Sequence, residues 1–255
     1  MVGLNMLKNK VALITGGGQG IGQGIAKSLA KQGANIVVTG RTLEKCENTV
    51  DLLKPLNVDT LPIRCDVKST RDLENCIDLT IKKFGRLDIL VNNAQEVARG
   101  PLLNISDTQI NDNWNSGPLA TFRLMKMAYP HLVQSKGNII NLCSSVMKRW
   151  DVSTYGVYAA VKAATQQLTR AAANEWGKDG IRVNAIMPHA KSPALAGWMD
   201  ANPVEAKHFQ ASIPLGYVGD CEQDIGEFVA MMCSDGARYL SGQTIALDGG
   251  QVFIG

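Results

Sequence analysis

A tyrosine and a lysine stand four residues apart in Tyr158-Ala-Ala-Val-Lys162, so on a helix both side chains share one face. A phenol titrates near 10 and is a poor proton shuttle at neutral pH. An ammonium beside it stabilises phenolate and lowers that value, which suits the pair to general acid/base work on an oxygen. Tyr155 does not share the pattern, because the residue four beyond it is Ala159. Upstream, "INLCSSV" places Ser145 thirteen residues before Tyr158, where a hydroxyl could hydrogen-bond a substrate oxygen beside the phenol.

A second cluster of chemistry lies near the start of the chain. "TGGGQGIG", Thr15 to Gly22, follows an apolar run and opens a helix pattern. Glycines permit close approach of backbone to a ligand, and a helix N-terminus offers free N–H groups to a pyrophosphate. The spacing is Gly16-x-x-x-Gly20-x-Gly22, not GxGxxG, and Lys27-Ser28 lacks the glycine of a P-loop. After the second strand pattern, where an acid would hold the ribose 2′-hydroxyl of NAD, stand Gly40-Arg41. An arginine there pairs with a 2′-phosphate, so NADP(H) is the expected dinucleotide, with NAD the alternative. Asp66 and the run Asn92-Asn93-Ala94 fall at carboxyl ends of strand patterns, the ligand edge of an open α/β sheet.

The elements that must position these groups alternate along the chain. Strand patterns cover Val11–Thr15, Asn35–Thr39, Thr60–Cys65, Leu87–Val91, Asn138–Cys143, Arg182–Ile186 and Thr244–Leu247. Helix patterns lie between them near 20–32, 42–54, 69–84, 106–134, 153–177 and 221–234. Near-continuous apolar strands alternating with amphipathic helices predict an α/β fold, a doubly wound seven-stranded parallel sheet with helices on both faces. No linker or repeat interrupts it, so one domain over 1–255 is expected. The long irregular stretch from Pro188 to about Asp220 reads as a functional or mobile loop.

Composition excludes several function classes. The 255 residues carry a formal charge of +3, with basic and acidic residues interspersed, so no nucleic-acid partner is expected. The six cysteines form no CxxC and no Cys/His cluster, which predicts no metal site and buried thiols in a reducing compartment. No apolar run reaches membrane-span length and the N-terminus lacks a signal core, so a cytoplasmic protein without membrane association is expected.

From about Lys10 to Gly250 the chain resembles the short-chain dehydrogenases/reductases. The matching pieces are "TGGGQGIG", "CDV" (65–67), "NNA" (92–94), the Ser145/Tyr158/Lys162 set, "IRVNAIMP" (181–188) and "SGQTIALDGG" (241–250). The resemblance implies a single Rossmann-type domain that interconverts a small-molecule ketone and secondary alcohol with NADP or NAD. It also implies a homodimer or homotetramer built on the two longest helices. By that likeness Tyr158 is the acid/base, Ser145 orients the carbonyl, and Lys162 lowers the tyrosine pKa and binds the nicotinamide ribose. Asp66 and Val67 would contact adenine, and Asn92 would stabilise the strand beside the cofactor. The implied cofactor contacts further include Gly16, Gln19, Gly20, Ile21, Gly22, Arg41, Asn93, Ala94 and Pro188.

Four departures from the family pattern shape the rest. Gln95 stands where "NNAG" has glycine, and His189 follows Pro188 where "PG" is usual. Pro193 replaces a threonine, with Ser192 one place early. Gly117, followed by Pro118, occupies the position of the family's catalytic asparagine. In these enzymes that asparagine kinks its helix, and its main-chain carbonyl holds a water in a proton relay to the lysine. Gly-Pro is expected to reproduce the kink through backbone alone, since Pro118 cannot donate to the carbonyl of Trp114.

Substrate identity is expected in 189–218, read as a lid, and in the loop after Asn93. Gln95, His189 and Trp198 are candidate contacts beside Ser145. Leu195, Met199, Phe209, Tyr217, Val97, Leu102, Met147 and Trp150 would make an apolar pocket for a hydrophobic or cyclic substrate. A sugar, a 3-oxoacyl substrate, or a catalytically impaired NADP(H)-binding sensor or scaffold are the alternative readings.

Overall fold

The computed structural model describes residues 5–149 and 153–253. Seven parallel strands form one sheet in the order β3-β2-β1-β4-β5-β6-β7. They are β1 (Val11–Thr15), β2 (Asn35–Gly40), β3 (Thr60–Arg64), β4 (Ile89–Asn92), β5 (Asn138–Leu142), β6 (Arg182–Pro188) and β7 (Thr244–Leu247). The strand order reverses between β1 and β4. That switch point opens a crevice at the carboxyl edge, into which the ends of β1, β2 and β4 deliver the predicted nucleotide residues.

Period-two alternation divides each strand between two cores. Val11 and Leu13 pack with Leu73, Ile77, Leu124 and Leu132 on one face. Ala12 and Ile14 pack with Ile25, Leu29, Val229 and Met232 on the other. Each fully buried side chain of this size contributes about 1.5–3 kcal/mol of transfer free energy. The first face is covered by α3 (Thr70–Phe84), α5 (Pro118–Ser135) and α6 (Gly156–Trp176), the second by α1 (Gly20–Lys31), α2 (Leu43–Leu53) and α9 (Glu227–Cys233). A π-helical turn, Cys221–Gly226, leads into α9 and crosses α1 backbone to backbone. The crossing needs glycines: a Cβ on Gly24 would overlap the Cys221 carbonyl, and one on Gly226 would meet the Gly24 oxygen at 2.5 Å.

Two predicted elements differ from expectation. The 106–134 pattern is two helices, α4 (Asp107–Ser116) and α5, separated at Gly117. Ser106 and Gln109 have capping-box spacing in the sequence, and the box is formed, with Gln109 N–H donating to Ser106 Oγ at 3.3 Å and Ser106 N–H to Gln109 Oε1 at 2.9 Å. The stretch after Pro188 is not irregular throughout. It holds two short helices, α7 (Pro193–Ala201) and α8 (Pro203–Ala211), each with proline in its first turn. Of their residues only Ala206 is fully buried, so neither presents the apolar stripe that periodicity detects.

Candidate active site

At the nucleotide end, β4 is pinned to the glycine turn. Asn93 donates from Nδ2 to the carbonyls of Thr15 (2.8 Å) and Gly16 (3.1 Å), while Thr15 Oγ1 accepts from the Asn93 and Ala94 N–H groups at 3.0 Å. Gly16 and Gly20 adopt φ of +64° and +57°. Gly22 lies beneath the turn, where a Cβ would overlap the Gly16 carbonyl and reach Asn93 Nδ2 at 2.5 Å. No side chain caps α1, and its first turn carries no acid, so its leading N–H groups remain available to an anion. The turn therefore fits a pyrophosphate.

Above it opens a cavity of about 460 Å³. Gly16, Gln19, Gly20 and Ile21 line one wall, and Arg41, Asp66 and Val67 a second. Asn93, Ala94 and Gln95 form the third. The spacing rules missed two further residues there: Lys45 donates to Gln19 Oε1 at 2.7 Å, and Glu96 accepts from Arg41 at 2.5 Å. Ser192, the residue before Pro193, closes over Gly20. Lys45 was accessible to sequence reasoning as a second cation one helical turn past Arg41.

Behind β4 a polar chain runs through the interior. Asn92 Nδ2 donates to Asn141 Oδ1 at 2.8 Å, and Asn141 Nδ2 to Thr169 Oγ1 at 2.9 Å, all within the buried interior. This satisfied polar chain fixes β4, β5 and α6 to one another.

At the chemical end, α6 presents Tyr158 and Lys162 together, with the lysine Nζ 5.5 Å from the tyrosine ring centroid. Lys162 is 4% exposed, and its ammonium donates to the Leu142 carbonyl at 2.5 Å. Burial pulls its pKa down to about 8. Tyr158 is partly exposed as a residue, yet its hydroxyl is enclosed, and burial pushes the phenol up to about 12. A hydrogen bond with Ser144 and the Arg99 charge act in the opposite sense. The net shift is therefore upward, against the expected lowering, and leaves a neutral phenol able to donate a proton. The phenol's partner is Ser144, which also caps the tight turn 145–147, while Ser145 is buried at the start of that turn.

Residues 16–251 match a protein-family profile described as "Enoyl-(Acyl carrier protein) reductase". The chain is 37% identical to a 12alpha-hydroxysteroid dehydrogenase of Clostridium sp. over 97% of its length and 98% of the relative's. It is 35% identical to the 3-oxoacyl-[acyl-carrier-protein] reductase FabG of Staphylococcus aureus, covering 96% of this chain and 99% of that one. A crystal structure described as a short-chain alcohol dehydrogenase from Sinorhizobium meliloti superposes with a TM-score of 0.90 at 32% identity, covering 96% and 97% of the two chains. The chain belongs to the short-chain dehydrogenase/reductase family. Members use a nicotinamide dinucleotide and act on CH–OH or C=O groups of small molecules.

Two departures from the short-chain dehydrogenase/reductase pattern meet in space. Gly117 takes φ −99° and ψ −105°, outside the helical well, ending α4 and starting α5 with Pro118 as its first residue. Its N–H donates to Asn113 O at 3.0 Å and its carbonyl accepts from Thr121 N–H at 2.9 Å. A Cβ at this glycine would lie 2.5 Å from Gln95 Nε2 and 2.8 Å from both Gln95 Oε1 and Asn113 O. Gln95 Nε2 in turn donates to Asn113 O at 3.3 Å. The amide missing from the helix is thus replaced in space by one from the loop after β4. Asn113 Oδ1 is buried beside it with no hydrogen-bond partner among the described residues.

The third departure, His189, follows Pro188 at the end of β6 and stacks edge-on against Phe209 at 5.2 Å; Phe209 packs likewise on Trp198 at 5.8 Å. Burial lowers the imidazole pKa, favouring the neutral ring, and Nδ1 has no hydrogen-bond partner among the described residues. Trp198 and Phe209 belong to α7 and α8, so the aromatic trio ties those helices to the sheet. Trp150 lies outside the described residues. No group of three or more His, Cys, Asp and Glu side chains suited to a metal occurs among the described residues, and the six cysteines are free thiols. No described helix is long and apolar enough to cross a membrane.

Lys162 yields a prediction with a definite sign. Its folded value of about 8 lies below the ordinary 10.5, so between those pH values the unfolded chain binds more protons. The cost of burying the ammonium is full below pH 8 and is relieved as pH rises, by at most about 1.4 kcal/mol per pH unit. Buried thiols oppose this: Cys46 and Cys143 are pushed up to about 11 and lose stability above 9.0. Denaturant unfolding of wild type and Lys162→Met across this range separates the two. Wild type is expected to gain on the variant as pH rises, whereas parallel curves would show that Lys162 is not linked.

Proposed function

We propose that the chain is an NADP(H)-dependent oxidoreductase that interconverts a secondary alcohol and a ketone on an apolar, cyclic small molecule. The observation that carries this reading is the pairing of Tyr158 with a fully buried Lys162 on one helix face, at the sheet edge that also bears the pyrophosphate cradle. The glycine turn and the α1 N-terminus would hold the pyrophosphate, and Asp66 and Val67 the adenine. Arg41 would hold the 2′-phosphate, and Asn93, Ala94, Pro188 and Lys162 the nicotinamide half. When bound, the nicotinamide supplies or accepts the hydride. Tyr158 gives the substrate oxygen its proton in reduction and removes it in oxidation. Ser145 orients that oxygen, and Ser144 holds the phenol. Lys162 keeps positive charge beside the phenolate as it forms, and the Gly117 carbonyl offers a second lone pair to a water in the proton relay.

The substrate reading rests on the His189–Phe209–Trp198 aromatic group and on likeness to the hydroxysteroid dehydrogenase. Residues 189–218 serve as the lid of one domain, with Gln95, His189 and Trp198 nearest the bound molecule. Exposed Ile110, Trp114 and Phe122 on α4 and α5 support a homodimer or homotetramer built on the 106–134 segment and α6. Buried, unpaired thiols fit the cytoplasm.

A turnover screen with NADPH and NADH against steroid ketones, monocyclic ketones, sugars and a 3-oxoacyl thioester tests the reading. Reduction of cyclic ketones with NADPH is expected. Preference for the thioester would move the substrate assignment to the 3-oxoacyl class. Arg41→Ala is expected to weaken NADPH binding about 10- to 100-fold, the worth of a charge-assisted contact, with NADH little changed. Equal weakening of both would remove Arg41 from the 2′-phosphate site.

A further inference from the structure

Within that NADP(H) reading, we infer that Glu96 sets cofactor choice by competing with the 2′-phosphate for Arg41. Arg41 comes from the loop after β2 and Glu96 from the loop after β4, and both line the same cavity. Their side chains meet across it, with Arg41 Nη1 donating to Glu96 Oε1 at 2.5 Å. The bond spans the space between the two strand ends that the adenosine half would enter.

The two partners are held unequally. The Glu96 side chain is 26% exposed, and Lys68 Nζ lies 3.2 Å from Oε1 and 3.3 Å from Oε2. Glu96 N–H donates to Ser116 Oγ at 3.1 Å, fixing its backbone to the end of α4. Lys68 is itself anchored to Asp112 at 2.9 Å. Arg41 is 62% exposed and free to swing. When a phosphate arrives, the arginine moves and the carboxylate stays.

Charge then decides between dinucleotides. Arg41 and Lys68 balance Glu96 and Asp112. A 2′-phosphate takes Arg41 from this group and brings up to two negative charges close to a carboxylate that keeps only Lys68. A 2′-hydroxyl brings no charge and leaves the Arg41–Glu96 pair intact. Glu96 therefore costs NADP(H) affinity and leaves NAD(H) affinity alone. Neutralising it without changing its shape shifts selectivity toward NADP(H).

Equilibrium titration of wild type, Glu96→Gln, Arg41→Ala and the double variant with NADPH, NADH, 2′,5′-ADP and 5′-AMP tests this without turnover. Glu96→Gln is expected to bind NADPH and 2′,5′-ADP about two- to fivefold more tightly, with NADH and 5′-AMP unchanged. The gain should shrink in the Arg41→Ala background, where only direct repulsion by Glu96 is left to relieve, and shrink again as salt rises. An unchanged NADPH/NADH ratio, equal tightening of both, or a gain undiminished by loss of Arg41 would overturn the inference while leaving the dinucleotide site in place. Failure of wild type to bind either dinucleotide would overturn the functional reading and this inference together.

Discussion

Tyr158→Phe should lower kcat by about 10²- to 10⁴-fold, the usual share of general acid/base catalysis, with dinucleotide affinity within about twofold of wild type. The substitution removes one oxygen from a side chain that α6 continues to hold, so the fold and the cradle at β1 are untouched. In the proposed mechanism the phenol supplies the proton that reduction needs. Burial keeps it protonated, and Ser144 and Arg99 moderate that preference. Rapid-quench or steady-state kinetics with a cyclic ketone and NADPH would read the loss. A variant retaining more than about a tenth of wild-type kcat would place the proton donor elsewhere. Ser145→Ala and Ser144→Ala divide the serine pair: loss concentrated at Ser145 follows the family spacing, and loss concentrated at Ser144 follows the hydrogen bond seen here.

Gly117→Ala should destabilise the fold by about 1–3 kcal/mol, a fall of several degrees in Tm. The added carbon meets Gln95 and the backbone oxygen of Asn113, each at less than 3 Å. Gln95 can swing away, at the cost of its bond to Asn113 O, while the carbonyl requires α4 to shift. Gln95→Ala combined with Gly117→Ala should recover part of the loss, with a coupling of about 0.5–3 kcal/mol between the sites. Strict additivity in thermal or denaturant unfolding would show that the loop amide and the helix break are independent. The pair explains two departures at once, because glycine in the helix is what lets the glutamine lie there.

The parts of this molecule governed by local pattern were legible in the sequence. β1 and β7 run over the spans their apolar residues predict, and the Ser106–Gln109 box starts α4 where its spacing says. Gly117-Pro118 was legible as a break, although two separate helices replaced the single kinked one. Helices α7 and α8 were not readable, since they bury almost nothing and carry no stripe. Glu96 was invisible for another reason. Nothing local announces that an acid after β4 will face an arginine after β2, because the sheet's strand order alone brings those loops together. The serine pair shows the same limit at finer scale, where spacing names Ser145 and the hydrogen bond to the phenol comes from its neighbour Ser144.

The most direct measurement of the central claim follows NADPH absorbance with the wild-type protein and its Tyr158→Phe variant against a panel of cyclic ketones that includes oxidised steroids. Ketone-dependent consumption of NADPH by wild type, lost in the variant while both still bind the dinucleotide, is the predicted result. Binding of NADPH with no consumption across the panel by either protein would contradict it and make this chain a dinucleotide-binding protein without turnover.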